Sequence, residues 1–422
     1  MRLLDVRAVL DREKDIQTVN PEIEVLKELD DESTRYAILS HRWGSEVDYD
    51  EMTGLTAMKP RKRDDVRHRD GYQKIIKSCE QAKKDGHRWL WIDTCCIDKR
   101  SSSELTEAIN SMYRWYRNSK MCYVYLHDVN ERAFPTEQNF SRFYRSNGWP
   151  EWFSRGWTLQ ELIAPNKARF FNKDWVSIGT KWDLKSTLEN ITRIPEEVLV
   201  DEKILRSTNP WKRPCIAHIM SWAANRKTTR VEDRAYSLLG SFGVNMPMLY
   251  GEGSKAFQRL QLEIIRVFSD HSIFAWNRKA RPGKCGSVLA DDPDCFWGCH
   301  DVEELLSFYD SVDSIQLLRW DVTNLGIHLS LPVLPCRNDD SSHKAILPCS
   351  DCDGNLITID LESDGRRSYH TYLLVGHLPD YTCPEFRSLY LDLSQEPEPE
   401  MSDYEFSSWL FFWFSLWVDL YT

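Results

Sequence analysis

Tyr36-Ala37-Ile38-Leu39-Ser40-His41-Arg42-Trp43-Gly44 starts as an apolar run and ends in polar groups, an aromatic ring and a glycine. It reads as a buried strand that delivers its last residues to a loop. Three similar segments follow: Trp89-Leu90-Trp91-Ile92-Asp93, Met121-Cys122-Tyr123-Val124-Tyr125-Leu126 and Ala168-Arg169-Phe170-Phe171-Asn172. Helical patterns separate them. Gly71 opens one with Tyr72, Ile75, Ile76, Cys79 and Ala82 on one face, ending near Asp85-Gly86. Ser101 and Glu104 have capping-box spacing ahead of Leu105, Ile109, Met112 and Tyr116. A third helix is expected from about Arg155 to Ile163, ended by Pro165. Near-continuous apolar strands alternating with helices predict an α/β domain, a parallel sheet flanked by helices. Its ligand site belongs at the loops that begin at Ser40, Asp93 and Leu126.

The rest of the 422 residues divides by texture. Residues 1–35 read as a lead-in and 36–175 as the α/β domain. Residues 176–280 read as a helical extension packed on that domain, with Phe257, Leu260, Ile264 and Phe268 as one amphipathic stripe. Residues 281–394 break into short strand-like pieces, a β-rich C-terminal domain. Residues 395–422 are an acidic linker and an apolar tail. The tail, Trp409 to Val418, is too short for a spanning helix and reads as a buried terminal element or a membrane-interface contact. The basic stretch Lys59 to Arg69 reads as a solvated loop.

Lys and Arg number 54 against 65 Asp and Glu, a net charge of −11, which argues against a general nucleic-acid coat. Met1 to Arg7 meets charge before an apolar run of signal-peptide length, so a cytoplasmic chain with reduced thiols is expected. No P-loop spacing and no Gly-x-Ser-x-Gly elbow occurs. Cys295, Cys299, His300, Cys349 and Cys352 are the thiols and imidazole considered for zinc, but their spacing is unpatterned and no metal site is assigned. Adjacent Cys95 and Cys96 read as small apolar filler.

Three clusters can carry chemistry. Ser40-His41-Arg42-Trp43-Gly44 brings a cation for phosphate and a ring for stacking to the strand end. Asp93 ends the next strand, where it can hold a hydroxyl. In Trp152-Phe153-Ser154-Arg155-Gly156-Trp157-Thr158-Leu159-Gln160-Glu161-Leu162, Trp157 and Glu161 stand four apart on a helix face. A carboxyl against a large ring is a candidate acid–base or oxocarbenium-stabilising group. The alternative is a docking helix with Glu161 paired to Arg155, just as Trp43 could pack under its loop with Arg42 in an internal ion pair.

These blocks together resemble the fungal heterokaryon incompatibility (HET) domain, over roughly residues 36–175. Glu232-Asp233-Arg234-Ala235-Tyr236-Ser237-Leu238-Leu239-Gly240, Leu249-Tyr250-Gly251-Glu252-Gly253 and Ser272-Ile273-Phe274-Ala275-Trp276 resemble segments that follow such domains. The resemblance implies nonself recognition and programmed cell death, and a distant kinship to Toll/interleukin receptor (TIR) domains with a TIR- or flavodoxin-like fold. Some TIR domains cleave NAD with a glutamate in a helix reading Trp-Cys-x-x-Glu-Leu. Trp157 to Leu162 is similar, with Thr158 in place of Cys, and so implies Glu161 as the catalytic residue. Ser40, His41, Arg42, Trp43, Gly44, Asp93 and Trp157 would then bind the nucleotide, NAD being substrate rather than cofactor. The other expectation is a non-catalytic module that works by self-association or by binding a protein partner, with no specific nucleic acid.

Overall fold

The computed structural model describes residues 1–14, 24–207, 209, 212–276, 288–305, 320–323, 326–336, 339–363, 368–375, 385–391 and 417–418. The acidic linker and residues 409–416 of the tail lie outside them. Two compact units form: Met1–Arg206 with Arg226–Met248, and Ser207–Asn225 with Leu249–Thr422. Residues 1–35 thus belong to the first unit's fold, and residues 176–280 are shared between the units.

The first unit runs β1 (Arg2–Asp5), α1 (Val6–Lys14), β2 (Leu26–Glu28), β3 (Tyr36–His41), α2 (Tyr49–Gly54), α3 (Pro60–Arg67) and α4 (Asp70–Lys84). It continues through β4 (Trp89–Trp91), α5 (Ser102–Asn118), β5 (Met121–Tyr125), α6 (Thr158–Ile163), β6 (Ala168–Phe171), β7 (Ser177–Thr180), α7 (Lys185–Thr192) and α8 (Glu196–Val200). The strands make one seven-stranded sheet in the order β2-β1-β4-β3-β5-β6-β7. The four strands read from the sequence form its centre and are parallel. The sheet as a whole is mixed, which corrects the all-parallel expectation. β1 runs antiparallel to both β2 and β4, and β7 antiparallel to β6. β7 must be antiparallel because a tight turn joins it to β6, and a parallel crossover needs a dozen residues or more. Asn172 folds that turn, its Oδ1 accepting from Asp174 N at 3.0 Å and Val176 N at 2.9 Å.

β3 is buried along its whole length, as a central strand must be. α4 buries Tyr72, Ile75, Ile76, Cys79 and Ala82, the stripe read from the sequence. α5 buries Ile109, Met112, Trp115 and Tyr116, and Trp91 meets Trp115 and Tyr116 edge-on with ring centroids 5.5 and 5.9 Å apart. Only half of the capping box forms. Glu104 N donates to Ser101 Oγ at 3.3 Å, but the Glu104 carboxylate accepts from Asp98 N and pairs with Arg2. The basic stretch is a helix, α3, not a loop: Pro60 stands at its first turn, where a missing N–H costs nothing, and Val66 anchors it. The helix expected over 155–163 is shorter. Glu151–Ser154 is a 3₁₀ turn, Arg155 bridges to Lys227, and α6 starts only at Thr158.

In the second unit lie α9 (Ile216–Ser221) and α12 (Lys255–Val267), α10 (Asp233–Tyr236) and α11 (Leu239–Phe242) belonging to the first. α12 buries Phe257, Leu260 and Ile264. The Gln261 amide pairs with the backbone of Ala290, donating at 2.7 Å and accepting at 3.0 Å. The β-rich texture is an antiparallel eight-stranded sheet: β8 (Glu303–Glu304), β9 (Asp321–Thr323), β10 (Gly326–Cys336), β11 (Asp339–Ser350), β12 (Leu356–Ser363), β13 (Ser368–Val375), β14 (Glu385–Leu391) and β15 (Trp417–Val418). Ile327, Leu329, Leu331 and Val333 are buried at period two along β10. Trp417 and Val418, the end of the apolar tail, pair with Tyr390 and Leu389.

Candidate active site

β3 and β4 are in register at Ile38 and Trp91. Two residues further along each strand stand Ser40 and Asp93, at the carboxyl edge of the parallel strands. The order of these strands reverses at β3, the place where open α/β sheets leave a crevice. α6 brings Glu161 to this edge. The helix has only six residues, and side chains fix both its ends. Thr158 Oγ1 donates to Trp152 O at 2.6 Å, and Arg226 Nη1 donates to Arg155 O at 3.0 Å. At the other end the buried Lys181 ammonium donates to Ile163 O at 3.0 Å and Pro165 O at 2.9 Å. Gly156 is required because a Cβ there would come within 2.5 Å of Thr228 Cγ2.

Glu161 is 7% exposed. Its Oε2 accepts from Ser40 Oγ, which in turn accepts from Trp152 Nε1 at 2.8 Å. It makes no ion pair among the described residues, with Arg155 or any other, although Arg155 and Arg226 both act on it at longer range. Burial first, then the negative charge of Asp93, push its carboxyl up to about 8, against the hydrogen bonds of Ser40 and Tyr116. A carboxyl in this state is neutral near pH 7.

Asp93 Oδ2 accepts from Trp43 Nε1 at 2.7 Å, and its Oδ1 lies 4.0 Å from His41 Nδ1. The His41 ring is buried, with Nε2 3.4 Å from Glu46 Oε2. Glu46 also pairs with Lys74 and accepts from Gly44 N at 2.6 Å. Despite the burial of its carboxyl, His41 and Lys74 hold Glu46 down to about 2. Arg42 turns to Glu151, with Nε and Oε1 2.7 Å apart, and His127 lies 3.7 Å from the same carboxylate. Trp43 does not pack under its loop. It is 43% exposed, and the Lys99 ammonium stands 3.7 Å from its ring centroid.

The sequence-derived residues Ser40, His41, Trp43, Gly44 and Asp93 therefore share one polar rim with Glu161. Arg42 borders it, in an ion pair. Trp157 is half-buried at the N-cap of α6, where its carbonyl meets Glu161 N at 3.5 Å. Sequence reasoning missed Glu46, Lys74, Glu151 and Tyr116, and gave Trp152, the first residue of its third cluster, no role. Glu46 alone had a local signal, a carboxylate two residues past Gly44. Cys95 and Cys96 are buried beneath the rim. Among the described residues no three His, Cys, Asp or Glu side chains converge to hold a metal, and no helix is long and apolar enough to cross a membrane.

Residues 36–148 match the family described as heterokaryon incompatibility protein (HET), and residues 255–287 match a domain of unknown function, DUF8212. The HET match ends before Glu161 and is shorter than the 36–175 span read from the motifs. The chain is 42% identical over 237 residues to the vegetative incompatibility protein HET-E-1 of Podospora anserina. That alignment takes in 54% of this chain and 16% of HET-E-1, so the chain spans about a sixth of that relative's length. No solved structure matches. Residues 36–148 thus carry a HET-type domain, and the chain is similar to HET-E-1 over about half of its own length.

Proposed function

We propose that this is a heterokaryon-incompatibility protein acting in nonself recognition and cell death in the cytoplasm. We further propose that its first unit cleaves NAD or a related nucleotide at Glu161, as some TIR domains do. One observation carries the catalytic reading: a buried carboxyl without an ion pair, beside Asp93 and the exposed Trp43, at the carboxyl edge where the strand order reverses. The inner order β4-β3-β5-β6 is that of flavodoxin-like sheets, which supports the TIR-like kinship.

In this reading the bond between ribosyl C1′ and the nicotinamide nitrogen breaks, and nicotinamide leaves with the electron pair. Ionised Glu161 stabilises the positive ribosyl carbon, water adds to it, and the water's proton passes to solvent. A cationic ribosyl group next to Glu161 and Asp93 itself favours loss of the Glu161 proton. Trp43 offers a stacking face and Asp93 a hydroxyl acceptor. Arg42 reaches phosphate by exchanging Glu151 for it.

A second reading, assembly without catalysis, is favoured by the rim's charges already being matched: Arg42 with Glu151, Lys74 with Glu46, Lys99 with Trp43. NAD quantification in cells expressing wild type, Glu161→Gln and Glu161→Ala separates the two. Catalysis requires both variants to spare NAD and lose toxicity while fold and self-association persist. A fully toxic Glu161→Gln with NAD intact establishes assembly instead.

A further inference from the structure

Ser40 lies between two groups of fixed polarity. The Trp152 indole has one N–H and no acceptor, and gives that N–H to Ser40 Oγ at 2.8 Å. The hydroxyl's single proton is thereby aimed at Glu161 Oε2. The Tyr116 hydroxyl donates to Leu39 O at 3.1 Å. The chain runs one way: Trp152 N–H to Ser40 oxygen, Ser40 O–H to Glu161 carboxyl. Trp152, Ser40 and Tyr116 are all buried, so bulk water does not compete for these bonds.

We propose that Trp152 is a positioning residue which, through Ser40, keeps a proton donor aimed at Glu161, so that a carboxyl buried beside Asp93 stays ready to ionise when a cationic group binds. This rests on the hydrolase reading of Glu161 and adds the control of that site. On ionisation Ser40 still donates to the carboxylate, and that bond strengthens with the charge. The charged and titratable groups that face Glu161 are Asp93 from the loop after β4, Tyr116 from α5, Cys122 from β5, and Arg155 and Arg226 from the segments flanking α6. None of them donates to Ser40. The Trp152–Ser40 link is thus separable from the surrounding field.

The test titrates Glu161 in the full chain by infrared difference spectroscopy with carboxyl-labelled glutamate, Glu161→Gln supplying the blank. Ser40→Ala removes the donor to the carboxylate and should raise the midpoint by about one pH unit. Trp152→Phe should move it the same way by less, and Ser40→Thr, which keeps the hydroxyl, should restore it. Any pH profile of NAD loss should shift in parallel. Unchanged midpoints in folded Ser40→Ala and Trp152→Phe overturn the proposal. If Trp152→Phe does not fold, benzothienylalanine at position 152 keeps the ring shape without the N–H and decides the matter. Should wild type consume no NAD, the hydrolase reading fails, while the midpoints still judge the relay.

Discussion

Replacing Glu161 by Gln should flatten part of the protein's pH–stability curve. An acid held up to about 8 when folded, against 4.5 ordinarily, binds its proton more tightly in the native state than in the unfolded chain. Between these two values the unfolded state releases the proton first, so stability falls as pH rises. The contribution is fully present below 4.5 and gone above about 8. At about 1.4 kcal/mol per pH unit, the interval sets an upper bound of about 5 kcal/mol. Relaxation and water entry reduce what is measured to about 2–3 kcal/mol. The Gln amide keeps an acceptor for Ser40 but has nothing to titrate. Glu304 in the second unit is also held near 8 and remains in both proteins, so the difference between the two curves isolates Glu161. Denaturant titrations from pH 4.5 to 8.5 would give the curves. Parallel curves, or a wild type that gains on the Gln variant as pH rises, would refute the assignment of a buried neutral carboxyl.

Burial holds the Lys181 ammonium down to about 7, so wild-type stability should gain a rising component between pH 7 and 10.5. Lys181→Met should lose that component and, by stranding the Ile163 and Pro165 carbonyls, cost about 1–3 kcal/mol at pH 7, readable as Tm against pH. A Cβ on Gly240 would overlap the Tyr113 side chain where α11 meets α5, so Gly240→Ala should destabilise by about 1–3 kcal/mol in denaturant titration; wild-type stability would contradict the packing. Lys99→Ala frees the face of Trp43 at a loss of about 0.5–1 kcal/mol of cation–π contact. If Trp43 stacks on the nucleotide, calorimetry should show about two- to fivefold tighter NAD binding, and weaker binding would argue against that role.

The central strands were legible because four apolar runs, each near the length of a buried strand, leave little choice of structure. Their ends fell within a residue or two of the reading. β1 and β2 were not legible: Leu3-Leu4 is too short a signal, and β1 becomes a strand by pairing with β4 on one side and β2 on the other. α3 was missed because charge was read as loop, although Pro60 marks a helix start and no glycine interrupts Arg61 to Arg67. At the site, the rule that ligands gather at strand ends placed Ser40 and Asp93 beside Glu161. It said nothing of Trp152, which reaches Ser40 across 112 residues of sequence, a contact made by packing alone. An internal ion pair is one of the two sequence readings of Arg42, but no pattern reveals Glu151 as its partner.

The seven-stranded sheet extends past both ends of the family match. A protein trimmed to residues 36–148 would forfeit the hydrogen-bonding neighbours of β4 and β5 together with the helix that bears Glu161. It would present two raw rows of backbone amides and carbonyls, an invitation to stick to its own kind. Clumping of such a fragment would reveal a severed fold rather than a signalling assembly, and experiments on self-association belong with a chain that retains β1 through β7.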